Sequence, residues 1–128
     1  MTVVLVALGG ALGAAARFLT SELARRVAPW AWRGTATLAV NILGSFALGL
    51  LTGGAAGMDA AWRTALAAGL LGGFTTFSAA SVECAAPLQA PAPTGRAKAR
   101  SAMAALGGAA LMLAASAGAA WLGLTLTS

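Results

Sequence analysis

Polar side chains are sparse in this 128-residue chain, so the few inside apolar runs are the candidates for chemistry. Asn41 sits near the middle of one such run, with Gly44 and Ser45 three and four residues further on and on the same helical face. Its amide offers two donors and one acceptor. It can serve as an interhelical hydrogen bond or as a donor lining a pathway. A second constellation, Gly72-Gly73-Phe74-Thr75-Thr76-Phe77-Ser78, puts two glycines and two threonines at the centre of an uncharged stretch. Each Gly costs a helix about 1 kcal/mol and Thr is a poor helix former, so a break is expected there. Backbone groups freed at membrane depth must be satisfied by protein, water or an ion, and carbonyls at half-helix ends are suited to Na⁺. The ionisable residues within runs are Arg17, which can snorkel to the interface, and Glu83, which can be solvated, pair with a basic loop residue or shape a vestibule.

Composition excludes most alternatives. There is no His, one Cys (Cys84) and only three acids, Glu22, Asp59 and Glu83. That leaves no Cys/His metal cluster, no Ser/His or Cys/His dyad and no disulfide within the chain, and no enzyme is expected. Hydrophobic residues make up 59%, with 17 glycines besides, and only 9% of residues are charged. A soluble domain needs about a quarter. The class is membrane-embedded and all-α, with the lipid bilayer as its surroundings. The net charge of +5 does not indicate a nucleic-acid partner, because the basic residues cluster beside apolar runs, where they report orientation.

Those runs set the architecture. Residues 34–58, 64–82 and 101–128 carry no charge, and 1–21 carry only Arg17. A spanning helix needs about 20 apolar residues, which predicts four transmembrane helices at about 2–23, 34–54, 62–85 and 101–125, one domain filling residues 1–128. The connections have loop chemistry: Pro29 and Trp30, then Gly53, Gly54 and Gly57, then Pro87, Pro91, Pro93 and Gly95. Loops one and three share a side that holds Arg25, Arg26, Arg33, Arg96, Lys98 and Arg100, while the other side holds only Arg63. This predicts both termini outside the cytoplasm and one fixed orientation in the cell membrane. Trp30, Trp32, Trp62 and Trp121 fall near predicted helix ends, where indoles settle at the interface. The N-terminal run lacks a basic n-region and a clean cleavage site, so no removed signal peptide is expected. Glycines spaced by four, Gly9 and Gly13, Gly49 and Gly53, Gly69 and Gly73, mark packing faces. So many small faces on four helices suggest oligomerisation.

Taken in order, Gly9-Gly10-Ala11-Leu12-Gly13 with Arg17, Gly34-Thr35 with Val40-Asn41 and Gly44-Ser45-Phe46, and Gly72-Gly73-Phe74-Thr75-Thr76-Phe77-Ser78 with Glu83 resemble the successive motifs of the Fluc (CrcB-type) fluoride channels. The resemblance implies antiparallel dimers that enclose two fluoride pores, with the third helix broken at mid-membrane. It implies a structural Na⁺ held by the Gly72 and Thr75 backbone carbonyls. Asn41 corresponds to the pore-lining amide, Phe77 to the first pore phenylalanine, Ser78 to its polar neighbour and Glu83 to the vestibule acid. Gly9, Gly13, Arg17, Gly44, Ser45, Gly73 and Thr76 fall to packing and support. Fluoride is small and strongly hydrated, so such a pore must replace water with donors: an amide, hydroxyls and the positive edges of phenyl rings.

The sequence also departs from the family. Where the pattern continues Phe-Ser-Thr-Phe-Ser, this chain reads Phe77-Ser78-Ala79-Ala80-Ser81, without the second hydroxyl and the second phenylalanine. There is no Tyr, and helix four offers only Ser101, Ser116 and Thr125 as a polar track. Dual-topology subunits need nearly balanced Lys and Arg counts, whereas this chain is strongly biased. A heterodimer with an oppositely oriented homologous subunit is therefore the favoured expectation, with a homodimer and a non-conducting structural subunit as alternatives. A small multidrug exporter would need a carboxylate inside helix one, and the first 21 residues contain none.

Overall fold

The structure, a computed structural model, describes residues 1–27, 33–89 and 94–128. Helix α1 spans Thr2–Val27 and α2 spans Arg33–Gly54. The third run begins with α3, Ala60–Thr64, continues as a π-helical segment, Ala65–Leu71, and a short α4, Gly72–Phe74, and resumes as α5, Phe77–Gln89. Helix α6 spans Gly95–Thr125. Four stretches are long and apolar enough to cross a membrane: Thr2–Val27, Thr35–Gly54, Ala60–Gln89 and Gly95–Thr125.

The helices run past the limits expected from composition, and local caps explain part of it. Asp59 Oδ1 accepts from the Ala61 amide at 2.9 Å and from Trp62 at 3.4 Å, which starts α3 two residues early. Thr94 Oγ1 accepts from the Ala97 amide at 3.2 Å, so α6 begins at Gly95 and carries Arg96, Lys98 and Arg100 in its first turns. Gly95 is thus helical rather than loop. So is Pro87, which sits in the last turns of α5, where the amide it lacks costs only the bond to the Glu83 carbonyl. Gly53 and Gly54 close α2, and Gly57, at φ +85°, makes the turn to the third run. The loop residues Pro29, Trp30, Trp32, Pro91 and Pro93 lie outside the described residues.

Size sorts the side chains in the opposite sense to a water-soluble core. Val40 is fully buried, but the other buried apolar residues include Ala55, Ala65, Ala80 and Ala105, while Leu8, Leu12, Phe18, Leu106, Leu113 and Trp121 are exposed. Lipid solvates large apolar groups as well as protein does, so small residues are kept for close backbone approach. A Cβ on Gly9 would lie 2.7 Å from the Ala65 carbonyl oxygen, one on Gly69 would lie 2.8 Å from that of Val6, and one on Gly13 would lie 2.8 Å from the Phe74 amide nitrogen. Gly73 abuts Gly10 in the same contact. Gly49 and Gly53 meet α6 at Ala120 and Leu124, and Gly53 also meets Thr127 just beyond it. All three glycine pairs are therefore used for contacts inside one chain. Uncovered on α6 are Gly95 at its start and, within its apolar length, Gly107 and Gly118, where an added Cβ would meet nothing within 4 Å.

This packing gives the two halves of the third run different neighbours. Its first half lies along α1, and α5 lies along α6 and α2. The chain changes partners where Thr75 turns extended, at φ −75° and ψ 158°.

Candidate ion pathway site

Thr75 and Thr76 lie outside the helical pattern, and the hydrogen bonds around them are rerouted rather than lost. The Thr75 amide still donates to the Leu71 carbonyl at 2.9 Å, and so does its hydroxyl, at the same distance. The Thr76 amide, which in an unbroken helix would close on Gly72, donates instead to Asn41 Oδ1 at 2.9 Å. Asn41 Nδ2 returns a bond to the Thr76 carbonyl at 3.1 Å. The buried Asn41 amide thus pairs with both main-chain groups of one residue, as a residue on a neighbouring strand would. On the far side, the Ala79 amide, which would close on Thr75, donates to Thr76 Oγ1 at 3.3 Å, the N-cap contact of α5. Gly44 makes room for this, since a Cβ there would meet the Thr75 side chain and approach the Phe74 ring to 3.2 Å.

Beside Thr75 and Thr76 an open cleft of about 320 Å³ is lined by Asn41, Ser45, Thr75, Thr76 and Phe77, with Ala80, Ser81 and Cys84 continuing it along α5 and Met112 and Ser116 closing it from α6. Phe77 is 88% exposed and stands at its rim. Of the residues singled out from sequence, Asn41, Ser45, Thr75, Thr76 and Phe77 converge here. Ser78 and Glu83 are not part of the lining. The Ser78 hydroxyl lies 3.2 Å from that of Thr76, and Glu83 sits further along α5, where Thr37 Oγ1 donates to its Oε1 at 2.8 Å. The other carboxylate oxygen, Oε2, is buried without a hydrogen-bond partner among the described residues. Gly72 is exposed, and Gly73 faces α1. Arg17 does more than reach for the interface: its Nε lies 3.4 Å from the Gly73 carbonyl, one residue before the end of α4.

Three contributors went unremarked in the sequence. Thr37 is one helical turn before Asn41, and Ser45 one turn after it, so an i, i+4, i+8 polar stripe on α2 could have revealed Thr37. Cys84 and Met112 belong to no such polar stripe.

The family assignment rests on comparison with known proteins. Residues 4–124, nearly the whole chain, match the family model described as "CrcB-like protein, Camphor Resistance (CrcB)". The chain belongs to the CrcB family. Among curated relatives it is 49% identical over 89 residues to the fluoride-specific ion channel FluC of Phenylobacterium zucineum (strain HLK1), covering 63% of this chain and 66% of that protein. It is 44% identical over 85 residues to FluC 1 of Leifsonia xyli subsp. xyli (strain CTCB07), covering 65% and 61%. It is 50% identical over 91 residues to FluC of Hyphomonas neptunium (strain ATCC 15444), covering 66% and 69%. This CrcB chain therefore spans just under two thirds of the length of the first two of these relatives.

Proposed function

We propose that this CrcB protein is a subunit of a fluoride-specific channel that lets fluoride leave the cytoplasm passively. The observation that carries the reading is the pairing of Asn41 with Thr76 at the break in the third run, beside an open cleft rimmed by Phe77. An amide, hydroxyls and a phenyl edge are the donors a desolvated fluoride needs. No fuel is required, because an anion leaving a cell at about 100 mV inside negative gains roughly 2.3 kcal/mol.

In this reading the third helix crosses the membrane as two half-helices, and two subunits pair antiparallel. The six-to-one bias of basic residues favours an orientation with both termini outside and a homologous partner of opposite sense. Gly107 and Gly118, left uncovered on α6, are available to such a partner. A structural Na⁺ fits the donor set: the amides that would close helical bonds onto the Gly72 and Thr75 carbonyls are diverted to Asn41 and Thr76, leaving two hard oxygen donors at the break. Bound there, the ion would supply fixed positive charge near the anion route. Arg17 donates to the Gly73 carbonyl, one of the two that lie between those of Gly72 and Thr75.

The test is fluoride efflux from liposomes holding this protein alone, read with a fluoride electrode and repeated with chloride. Fluoride efflux without chloride efflux supports the channel and a self-sufficient homodimer. Silence from folded protein calls for co-expression with a homologue of opposite Lys/Arg bias. Silence from that pair as well would replace the reading with a non-conducting structural subunit, which the alanines at 79 and 80 also suit.

A further inference from the structure

Three cations at the start of α6, Arg96, Lys98 and Arg100, are exposed and form no ion pair among the described residues. They lie in the first two turns, and the first turn of α6 holds no acid. Cations there oppose the helix dipole, whose positive end is the N-terminus. The three acids of the chain are engaged elsewhere: Glu22 pairs with Arg25 and Arg26, Asp59 caps α3, and Glu83 accepts from Thr37. Arg25 and Arg26 make the contrast, since they lie in the last turn of α1, where the dipole favours cations and Glu22 shares their charge.

Packing brings both groups to one end of the bundle. Helix α1 runs parallel to the third run, with Gly9 against Ala65 and Gly13 against Phe74. Helix α2 runs antiparallel to it, with Thr37 on Glu83 and Asn41 on Thr76, and parallel to α6, with Asn41 on Met112 and Gly49 on Ala120. The end of α1 and the start of α6 therefore share a side. Helix α6 is also longer than the membrane is thick: its 31 residues rise about 46 Å, against about 30 Å of hydrocarbon. Residues 101–128 carry no charge, so the surplus length stands out at the basic end, at headgroup depth.

We propose that the first two turns of α6 bind the headgroup phosphates of anionic glycerophospholipid in the leaflet at that end. The phosphodiester supplies the negative charge that the chain lacks there, and each Lys or Arg near an anionic surface strengthens the attraction about five-fold. Arg96 and Arg100, four residues apart, share one helical face, and a guanidinium presents paired donors matched to phosphate oxygens. Zwitterionic lipid carries the same phosphate beside its own ammonium, so net charge decides the choice. Directly beyond Arg100 the helix is apolar, which suits a phosphate that carries acyl chains rather than a free anion. This binding is independent of what the protein conducts.

The experiment offers the purified full chain, in nonionic detergent micelles, equal amounts of phosphatidylglycerol and phosphatidylcholine with matched acyl chains. Native mass spectrometry then counts the lipids retained. Micelles have no leaflets, so a change of membrane orientation cannot mimic a change of binding. Phosphatidylglycerol should be retained in preference at low salt, and the preference should fall as KCl rises. Combining Arg96→Gln, Lys98→Gln and Arg100→Gln should reduce it at least about ten-fold, while Arg25→Gln with Arg26→Gln should leave most of it. Gln is nearly as good a helix former as Lys and Arg, so α6 is kept. Equal retention of the two lipids, or a preference that salt does not move, would overturn the proposal without recourse to any variant. Equal losses in the two variants would replace the α6 site with a diffuse charge at that end. Displacement of the lipid by inorganic phosphate, but not by KCl of equal ionic strength, would assign the site to a soluble anion and overturn the lipid.

Discussion

Replacing Asn41 by leucine, a side chain of similar size without donors or acceptors, separates two roles that one residue could play. Asn41 accepts from the Thr76 amide at 2.9 Å and donates to the Thr76 carbonyl at 3.1 Å, so Asn41→Leu removes both bonds at once. The Thr76 amide has no regular helical substitute, because the chain is extended at Thr75. Hydrogen bonds between membrane helices are worth about 1–2 kcal/mol in peptide systems and average about 0.6 kcal/mol in a folded membrane protein. Two bonds therefore give roughly 1–4 kcal/mol. The upper half of that range is expected, because Asn41 is only 8% exposed and water cannot readily replace it. The assay is reversible unfolding in mixed micelles of increasing denaturing detergent, run beside fluoride efflux on the same preparation. The reasoning predicts lower stability and lost efflux together. Efflux lost with stability changed by less than about 0.5 kcal/mol, below even the weaker per-bond average, would refute the clamp and leave Asn41 as a donor to the anion alone.

Gly13→Ala should destabilise by about 1–3 kcal/mol in the same unfolding assay, because its Cβ meets backbone atoms at Leu70 and Phe74 that cannot rotate away. Gly107→Ala should be neutral or slightly stabilising to the single chain, having open space around it and a better helix former in place, and equal losses at both positions would contradict this packing. A double-mutant cycle of Thr37→Val and Glu83→Gln should show a coupling of about 0.5 kcal/mol or more, since Thr37 donates to the Glu83 carboxylate, and strict additivity would show that the bond is not made in the membrane. Replacing Na⁺ by a bulky organic cation from extraction onwards should abolish fluoride efflux until Na⁺ is restored, whereas unchanged efflux would remove the structural ion from the proposal.

The residues differ in how far they could be read in advance, and the difference has a physical basis. Four apolar runs, their basic flanks and the weak helix at Gly72–Thr76 depend on local composition, so the sequence alone specified them. The glycine pairs announced close packing, because a four-residue spacing puts both on one face whatever lies opposite. What lay opposite was a tertiary decision. Gly9 and Gly13 meet the π-helical segment and α4, and Gly49 and Gly53 meet α6, so no pair is left over for a partner. Tertiary structure also chose the use of Asn41, whose amide turns inward to the main chain of Thr76, 35 residues away along the chain. It put the Cys84 and Met112 sulfurs in one wall and sent Arg17 to the Gly73 carbonyl. Composition marks where a helix is weak and which faces are small. The groups that replace its lost bonds come from helices distant in sequence, and only their packing brings those groups within reach.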